Sequence, residues 1–314
     1  MAQVIDQSVT DRYAIYNGDC VEVLRGLPAD SVDYSVFSPP FASLYTYSNS
    51  PRDMGNVRDY SEFFGHFGYL IAELRRVTKP GHLVSFHCMD LPTSKEKHGY
   101  IGIEDFSGDL IRAFQSHGWI YHSKVTIRKD PVSAMQRTKA LGLLHKTIRN
   151  NATMSRMGIP DYVITMRDPR DVVERVTHGA EYPVSLWQNI AEPIWMDIDP
   201  SDTLQYRSAR EHNDERHIAP LQLEVIRRCV RLWTNPGDVV LSPFAGIGSE
   251  GYVALQEGRR FIGAELKGSY YRQAVRNLDA AENTGQASMD ALLTDANNCL
   301  HHRATTEESD IADR

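Results

Sequence analysis

A doubly wound α/β sheet is the fold the sequence predicts, and three observations predict it. Short apolar, β-branched runs alternate with longer segments of helical period along most of the chain. A glycine-rich turn, Gly246-Ile247-Gly248-Ser249-Glu250-Gly251, joins one such run to one such segment. A stiff Ser38-Pro39-Pro40-Phe41 closes another run, at the place where open α/β sheets put their ligands. Strands that alternate with helices pair in parallel, with helices on both faces.

The elements follow in order. Tyr13 to Tyr16 is expected as a strand, Val21 to Leu27 as a short helix and Val32 to Phe37 as a strand. Phe63, Phe67, Leu70 and Leu74 recur near helical spacing, which predicts a helix from Tyr60 to Val77. Pro80-Gly81 punctuates the chain before a strand from His82 to Phe86. A helix over Glu104 to His117, a strand over Trp119 to Ile127 and a strand over Asp161 to Met166 come next. Leu223, Ile226, Val230 and Trp233 share one face of a helix from Leu221 to Trp233, and Asn235-Pro236-Gly237 ends it. The strand Val239 to Leu241, the glycine-rich turn, a helix to about Gln256, the strand Phe261 to Gly263 and a helix to about Leu278 complete the alternation. Residues 131–160 and 168–216 lack sustained patterning and are expected as insertions on the rim of the sheet. The polar, acidic segment 303–314 is expected to be a disordered tail.

Composition closes off several functions. The 314 residues hold no run of 18 apolar residues, so no membrane span is expected. Met1 to Asp6 lacks a basic region followed by an apolar stretch, so no secretory signal is expected. Cys20, Cys88, Cys229 and Cys299 form no CxxC pair, which excludes a zinc or disulfide pattern and fits free thiols in the cytoplasm. No P-loop, GxSxG elbow or HExxH occurs, so kinase, serine hydrolase and zinc peptidase readings have nothing to stand on. With 34 Lys+Arg against 41 Asp+Glu the net charge is -7, which taken whole argues against nucleic acid.

Two motifs carry chemistry. The glycines of the GxGxxG turn let backbone approach a ligand closely at a helix N-terminus. Glu265 ends the next strand, 19 residues after Gly246, where a carboxylate can accept from ribose hydroxyls. An adenosine-containing cofactor is favoured, but the turn alone does not separate NAD, FAD and S-adenosylmethionine. In Ser38-Pro39-Pro40-Phe41 the prolines remove two donors and stiffen an extended chain. Carbonyl acceptors then lie beside a hydroxyl and a flat ring, which suits a planar group bearing an amino nitrogen.

Taken together these residues resemble the bacterial and phage DNA amino-methyltransferases of the N6-adenine/N4-cytosine group, in the permuted β order. That family places its (D/N/S)PP(Y/F/W) motif early and its FxGxG motif late, as Ser38 to Phe41 and Phe244-Ala245-Gly246-Ile247-Gly248 stand here. Asn17-Gly18-Asp19-Cys20 with Leu24 resembles the segment whose Asp meets the cofactor adenine. Asn235 to Asp238 and Phe261 to Glu265 resemble its NPGD and ribose-binding segments. Glu215 to Gln222 resembles the segment that closes over the methionine end of the cofactor. Asp161 to Ile164 resembles its last sheet strand, and the likeness covers roughly residues 12–280. Three positions depart from the pattern: Ser242 stands where Asp is usual, Leu221 near a usual Lys, and Ser38 at a position that leaves the target base open.

The resemblance implies a Rossmann-like methyltransferase sheet with an inserted target-recognition region. The catalytic domain would comprise 1–130, 161–167 and 217–285, with 131–160 a basic DNA-contacting insertion and 168–216 the target-recognition region. It implies S-adenosylmethionine as cofactor, held by Asp19, Cys20, Ser38, Ser242, Phe244, Gly246, Gly248, Glu265, Pro220 and Leu221. It implies direct methyl transfer to an exocyclic nitrogen, with Ser38, Pro39, Pro40 and Phe41 as the catalytic residues. None of the fifteen prolines precedes a Cys, as a C5-cytosine enzyme would require.

Double-stranded DNA is the expected partner. From Lys124 to Arg156 the chain carries eight basic residues, Lys124, Arg128, Lys129, Arg137, Lys139, Lys146, Arg149 and Arg156, against Asp130 alone, a local charge of 8 - 1 = +7. Arg167, Arg170, Arg175, Arg207 and Arg210 are further candidates. Tyr45 and Tyr47 sit in a segment suited to cover a rotated base. Trp187 and Trp195 are expected as packing residues. The family allows a homodimer, and a cognate endonuclease in a restriction-modification pair stays open. The rivals are an NAD-dependent dehydrogenase built on the GxGxxG turn, an RNA amino-methyltransferase, and an inactive DNA-binding protein on the same scaffold.

Overall fold

The computed structural model describes residues 4–41, 60–93, 95–132, 145–179, 182–205 and 220–284. The chain begins with a hairpin, β1 (Asp6–Val9) and β2 (Tyr13–Asn17), followed by α1 (Cys20–Arg25) and β3 (Val32–Phe37). Helix α2 (Tyr60–Val77) runs directly into β4 (Thr78–Met89). A small ladder of β5 (Leu91–Pro92) and β6 (Ile103–Glu104) flanks α3 (Lys95–His98) and precedes α4 (Phe106–Ser116). Then come β7 (Ile120–Ile127), α5 (His145–Asn150), β8 (Asp161–Arg167), α6 (Val184–Ala191) and β9 (Ile194–Trp195). Helix α7 (Leu223–Trp233), β10 (Val239–Ser242), α8 (Ser249–Gln256), β11 (Arg260–Glu265) and a helix over 268–284, α9, complete it.

Nine strands form one sheet in the order β1-β2-β11-β10-β3-β4-β8-β7-β9. From β2 to β4 all neighbours pair in parallel. The expected doubly wound, mostly parallel sheet carries antiparallel pairs at its flanks: β1 on β2, β8 on β4 and β7 on β8. Such reversals leave no mark on hydrophobic period, so a sequence pattern cannot show them.

Two packed layers explain the middle. One face of the sheet meets α1, α2 and α4 through Leu24, Phe63, Phe67, Leu70, Phe106 and Phe114. The other meets α7, α8 and α9 through Val225, Ile226, Val253, Leu255, Tyr271 and Leu278. Central β3 is therefore buried along its whole length. Helix α2 buries Phe63, Phe67, Leu70, Ile71, Leu74 and Val77, the stripe its spacing predicts. Each such side chain contributes about 1.5–3 kcal/mol by leaving water. The charged exception in β3 is paired: Asp33 accepts from the Val239 amide at 2.8 Å and lies 2.7 Å from Lys79 Nζ.

Pro80-Gly81 does not end an element as expected. The strand passes through it, because a register shift against β3 between Val32 and Tyr34 absorbs the extra residues. Gly81 takes φ +76° there, and a Cβ would meet Val172 at 2.3 Å. The stretch 168–216, which lacks sustained patterning, supplies α6 and the edge strand β9, which pairs parallel with β7. Two residues are too short a strand for any period to register. Among the described residues no helix is long and apolar enough to cross a membrane.

Candidate active site

Parallel pairing brings the carboxyl ends of β2, β11, β10, β3 and β4 to one edge of the sheet. Strand β8 begins at that edge, where Asp161 pairs with Met89, and β7 ends there, where Ile127 pairs with Asp161. Strand β10 leads to a helix on one face and β3 lies beside the helices of the other, so the crevice opens between these two neighbours. Both chemical motifs lie at this crevice.

The glycine-rich turn is built by backbone conformation and close packing. Gly246 has φ +54° and Gly248, the N-cap of α8, has φ +86°. A Cβ at Gly246 would meet nothing within 4 Å, so the turn faces open space. A Cβ at Gly251 would instead overlap Leu278 and Phe261, each at 2.5 Å, which shows how tightly α8 sits on the sheet and α9. Glu265 supports the turn: one carboxylate oxygen accepts from the Gly246 amide and the other from the Lys267 amide, both at 2.8 Å. Asn277 Nδ2 donates to the Ile247 carbonyl at 2.7 Å. The buried hydroxyls of Ser242 and Ser249 find no hydrogen-bond partner among the described residues. Open space before a glycine and two orphaned hydroxyls fit a polar ligand in this turn.

Glu250, in the first turn of α8, is buried, and its carboxyl is pushed up to about 8. Burial is the main cause; its own amide opposes the shift and the nearby Glu265 adds to it. No signal in the GxGxxG pattern announces a protonated acid there.

Other residues of the expected cofactor set are placed as follows. Asp19 caps α1, Oδ1 accepting from the amides of Val21 at 3.0 Å and Glu22 at 3.1 Å. The Cys20 side chain is buried in the core, and burial raises its thiol. Leu221 is likewise a core residue, and Pro220 before it is half-buried. Phe244 packs on Phe37, ring centroids 5.8 Å apart.

Ser38 to Phe41 leave the carboxyl end of β3 beside β4. Ser38 Oγ lies 3.2 Å from His87 Nδ1 and 3.4 Å from the His87 carbonyl. Phe41 stands edge-on to the His87 ring at 6.4 Å and to Phe106 at 6.2 Å. His87 Nε2 is 3.1 Å from Asp161 Oδ2, a close contact bent away from hydrogen-bond alignment. Lys129 Nζ is 2.5 Å from the same oxygen. Asp161 is buried, which alone would raise its carboxyl, but His87 and Lys129 together hold it below the usual range. His87 and Asp161 were absent from the expected site. The signal that finds them is register, since Phe37 pairs with Phe86 and so sets Ser38 against His87.

The structure divides the basic run. Lys124 donates to Ser107 Oγ at 3.2 Å and sits 3.6 Å over the Tyr162 ring; Lys129 holds Asp161. Both of these expected DNA contacts have partners within the chain, Lys124 from β7 and Lys129 from the segment that follows it. Arg128, Lys146 and Arg149 are exposed, and Arg156 is half-buried. Arg137, Lys139, Tyr45, Tyr47, Arg207 and Arg210 lie outside the described residues.

Arg170 is also corrected. It pairs with Asp168 and Asp30, and donates to the Thr78 carbonyl, at the opposite edge from the crevice. Arg175 and Thr177 are joined there to Asn235, and Arg167 ends β8 on that side. The first residues of the stretch 168–216 thus run along the edge opposite the crevice. Trp195 is buried, while Trp187 is half exposed.

The chain is similar to known proteins over most of its length. The DNA methylase model of N6 and N4 methyltransferases matches residues 32–276. The DNA adenine methyltransferase YhdJ of Escherichia coli (strain K12) is 27% identical over 271 residues, 85% of this chain and 83% of that protein. The type II methyltransferase M.BglII, from Bacillus subtilis, is 26% identical over 260 residues, 82% of this chain and 66% of that protein. Among solved structures, the cytosine-N4-specific PvuII DNA methyltransferase superposes with a TM-score of 0.62 at 18% identity, covering 90% of this chain and 96% of that one. A Thermus thermophilus DNA modification methylase complexed with S-adenosyl-L-methionine gives 0.63 at 22% identity, covering 86% and 96%. The match to the family model spans most of the chain, and the chain belongs to the N6/N4 DNA methylase family.

Proposed function

We propose that the chain transfers a methyl group from S-adenosylmethionine to the exocyclic amino group of a base rotated out of double-stranded DNA, N6 of adenine or N4 of cytosine. The observation that carries this reading is the meeting of Ser38 to Phe41 with the glycine-rich turn, on adjacent strands β3 and β10, where the order of the sheet reverses. A dehydrogenase built on the turn would leave Ser38 to Phe41 without a task.

When bound, the cofactor supplies a methyl group on a positively charged sulfur. Gly246 and Gly248, with Ser242 and Ser249, would hold its polar parts, and Glu265 its ribose. Phe41 would stack on the rotated base, at a ring kept in place by His87 and Phe106. The Ser38 hydroxyl and the Pro39 carbonyl would accept from the amino group and draw its lone pair out of conjugation, towards the methyl. The contribution of the protein is position and electrostatics.

Labelled methyl from S-adenosylmethionine should enter duplex DNA with the wild-type chain. With Phe41→Ala it should not, while cofactor affinity stays within about twofold. Incorporation into RNA alone, or none into any nucleic acid, would overturn the proposal. Modification-sensitive sequencing of the product reads the base and site together.

A further inference from the structure

An amino nitrogen that gains a methyl must lose a proton, and the crevice holds a path for it. We propose that His87 receives this proton through the Ser38 hydroxyl, with Asp161 and Lys129 fixing the state of the imidazole. The inference rests on the methyl-transfer reading above and adds to it a route for the proton and two residues.

The geometry orders the ring. Asp161 is ionised, held so by Lys129 at 2.5 Å and by His87 itself. A bare lone pair on His87 Nε2, 3.1 Å from that carboxylate, would be repelled, so the ring proton belongs on Nε2. His87 Nδ1 then presents its lone pair to Ser38 Oγ at 3.2 Å. A carboxylate on one imidazole nitrogen and a serine hydroxyl on the other make an acceptor of the serine proton.

The step balances. The nitrogen lone pair forms the N–C bond while the C–S pair leaves with sulfur. The excess N–H proton passes to Ser38 Oγ as the Ser38 proton passes to His87 Nδ1. Ser38 ends neutral, His87 ends as an imidazolium facing Asp161, and the ring later returns its proton to water. His87 touches the reacting amine only through Ser38, so it is a positioning and proton-accepting residue. Asp161 faces it from β8, Lys129 from the segment after β7, and Ser38 and Phe41 from the end of β3. Cys88, the next residue of β4, is turned by strand alternation to the other face of the strand.

The test is single-turnover methyl transfer to duplex DNA from pH 5 to 9, with wild type, His87→Asn, Ser38→Ala and the double variant. The wild-type rate should fall at low pH through one ionisation. His87→Asn should slow transfer about 100-fold and flatten that limb, with cofactor affinity within about twofold. The double variant should be no slower than Ser38→Ala, because the two residues act in series. A wild-type rate in His87→Asn, a retained low-pH limb, or additive losses would overturn the relay and leave the proposed function standing. If His87→Asn does not fold, Ser38→Ala must itself lose the limb, and keeping it would overturn the relay. No transfer by the wild-type chain would overturn the proposed function, and the relay with it.

Discussion

Glu250 makes the stability of the chain depend on pH in a direction opposite to that of most carboxylates. In the unfolded chain it titrates near 4.5; in the folded chain burial holds it to about 8. Below the lower value both states are protonated and stability is full. Between the two values unfolding releases a proton, so stability falls by about 1.4 kcal/mol per pH unit. Above the upper value the loss is complete and the curve is flat. The interval sets an upper bound of ~5 kcal/mol, and relaxation around a buried charge makes about 2–4 kcal/mol the working figure. Glu250→Gln keeps the shape and removes the titration. Urea unfolding of both proteins from pH 4.5 to 8.5 should give equal stabilities at the acid end. At the alkaline end the Gln variant should be ahead by about 2–4 kcal/mol, or roughly 3–6 °C in Tm. Taking the difference between variants cancels every other titrating group. Parallel curves across the range, or a gap that opens below pH 5, would refute the argument from burial.

Other expectations follow from geometry already described. Gly251→Ala inserts a Cβ 2.5 Å from Leu278 and Phe261, and should cost about 1–3 kcal/mol by differential scanning calorimetry. Asp19→Ala removes the cap of α1 and should cost about 1 kcal/mol. Asp19→Asn keeps an acceptor, so a loss of cofactor affinity in Asn without a loss of Tm would separate binding from capping.

Much of the middle of this fold is legible because it is buried on both faces. The helix from Tyr60 to Val77 could be read to the residue, since Phe63, Phe67, Leu70 and Leu74 face a single layer. Ser38 to Phe41 and the glycine turn could be read because prolines and glycines leave backbone signatures that tolerate little substitution. What could not be read depends on pairing between distant segments. His87 is one histidine among twelve until β3 and β4 fix its register. Asp161 meets it only because β8 runs antiparallel, and orientation leaves no periodic trace. The same blindness made Arg170 look like a phosphate contact, although Asp30, 140 positions away in sequence, holds it at the far edge.

Charge shows the same limit and gives a last measurable consequence. The net charge of -7 hides a run of +7, and the run in turn hides two lysines whose charges serve the interior. Under the proposed function, Arg128, Lys146, Arg149 and Arg156 are the candidates among the described residues of that run to meet phosphates. Each contact with duplex DNA contributes about -0.9 to the slope of log affinity against log salt. These four therefore supply a slope no steeper than about -4. Arg149→Ala should lower the steepness by about 0.9, whereas Lys124→Ala should leave the slope unchanged. Lys129→Ala should also leave it unchanged but lower stability by about 1–3 kcal/mol, because buried Asp161 loses its cation. Fluorescence anisotropy with labelled duplex over a salt series, run beside urea unfolding, measures both effects. A slope that falls with Lys124→Ala, or an Arg149→Ala variant with the wild-type slope, would show that the run meets DNA differently from the way its burial dictates.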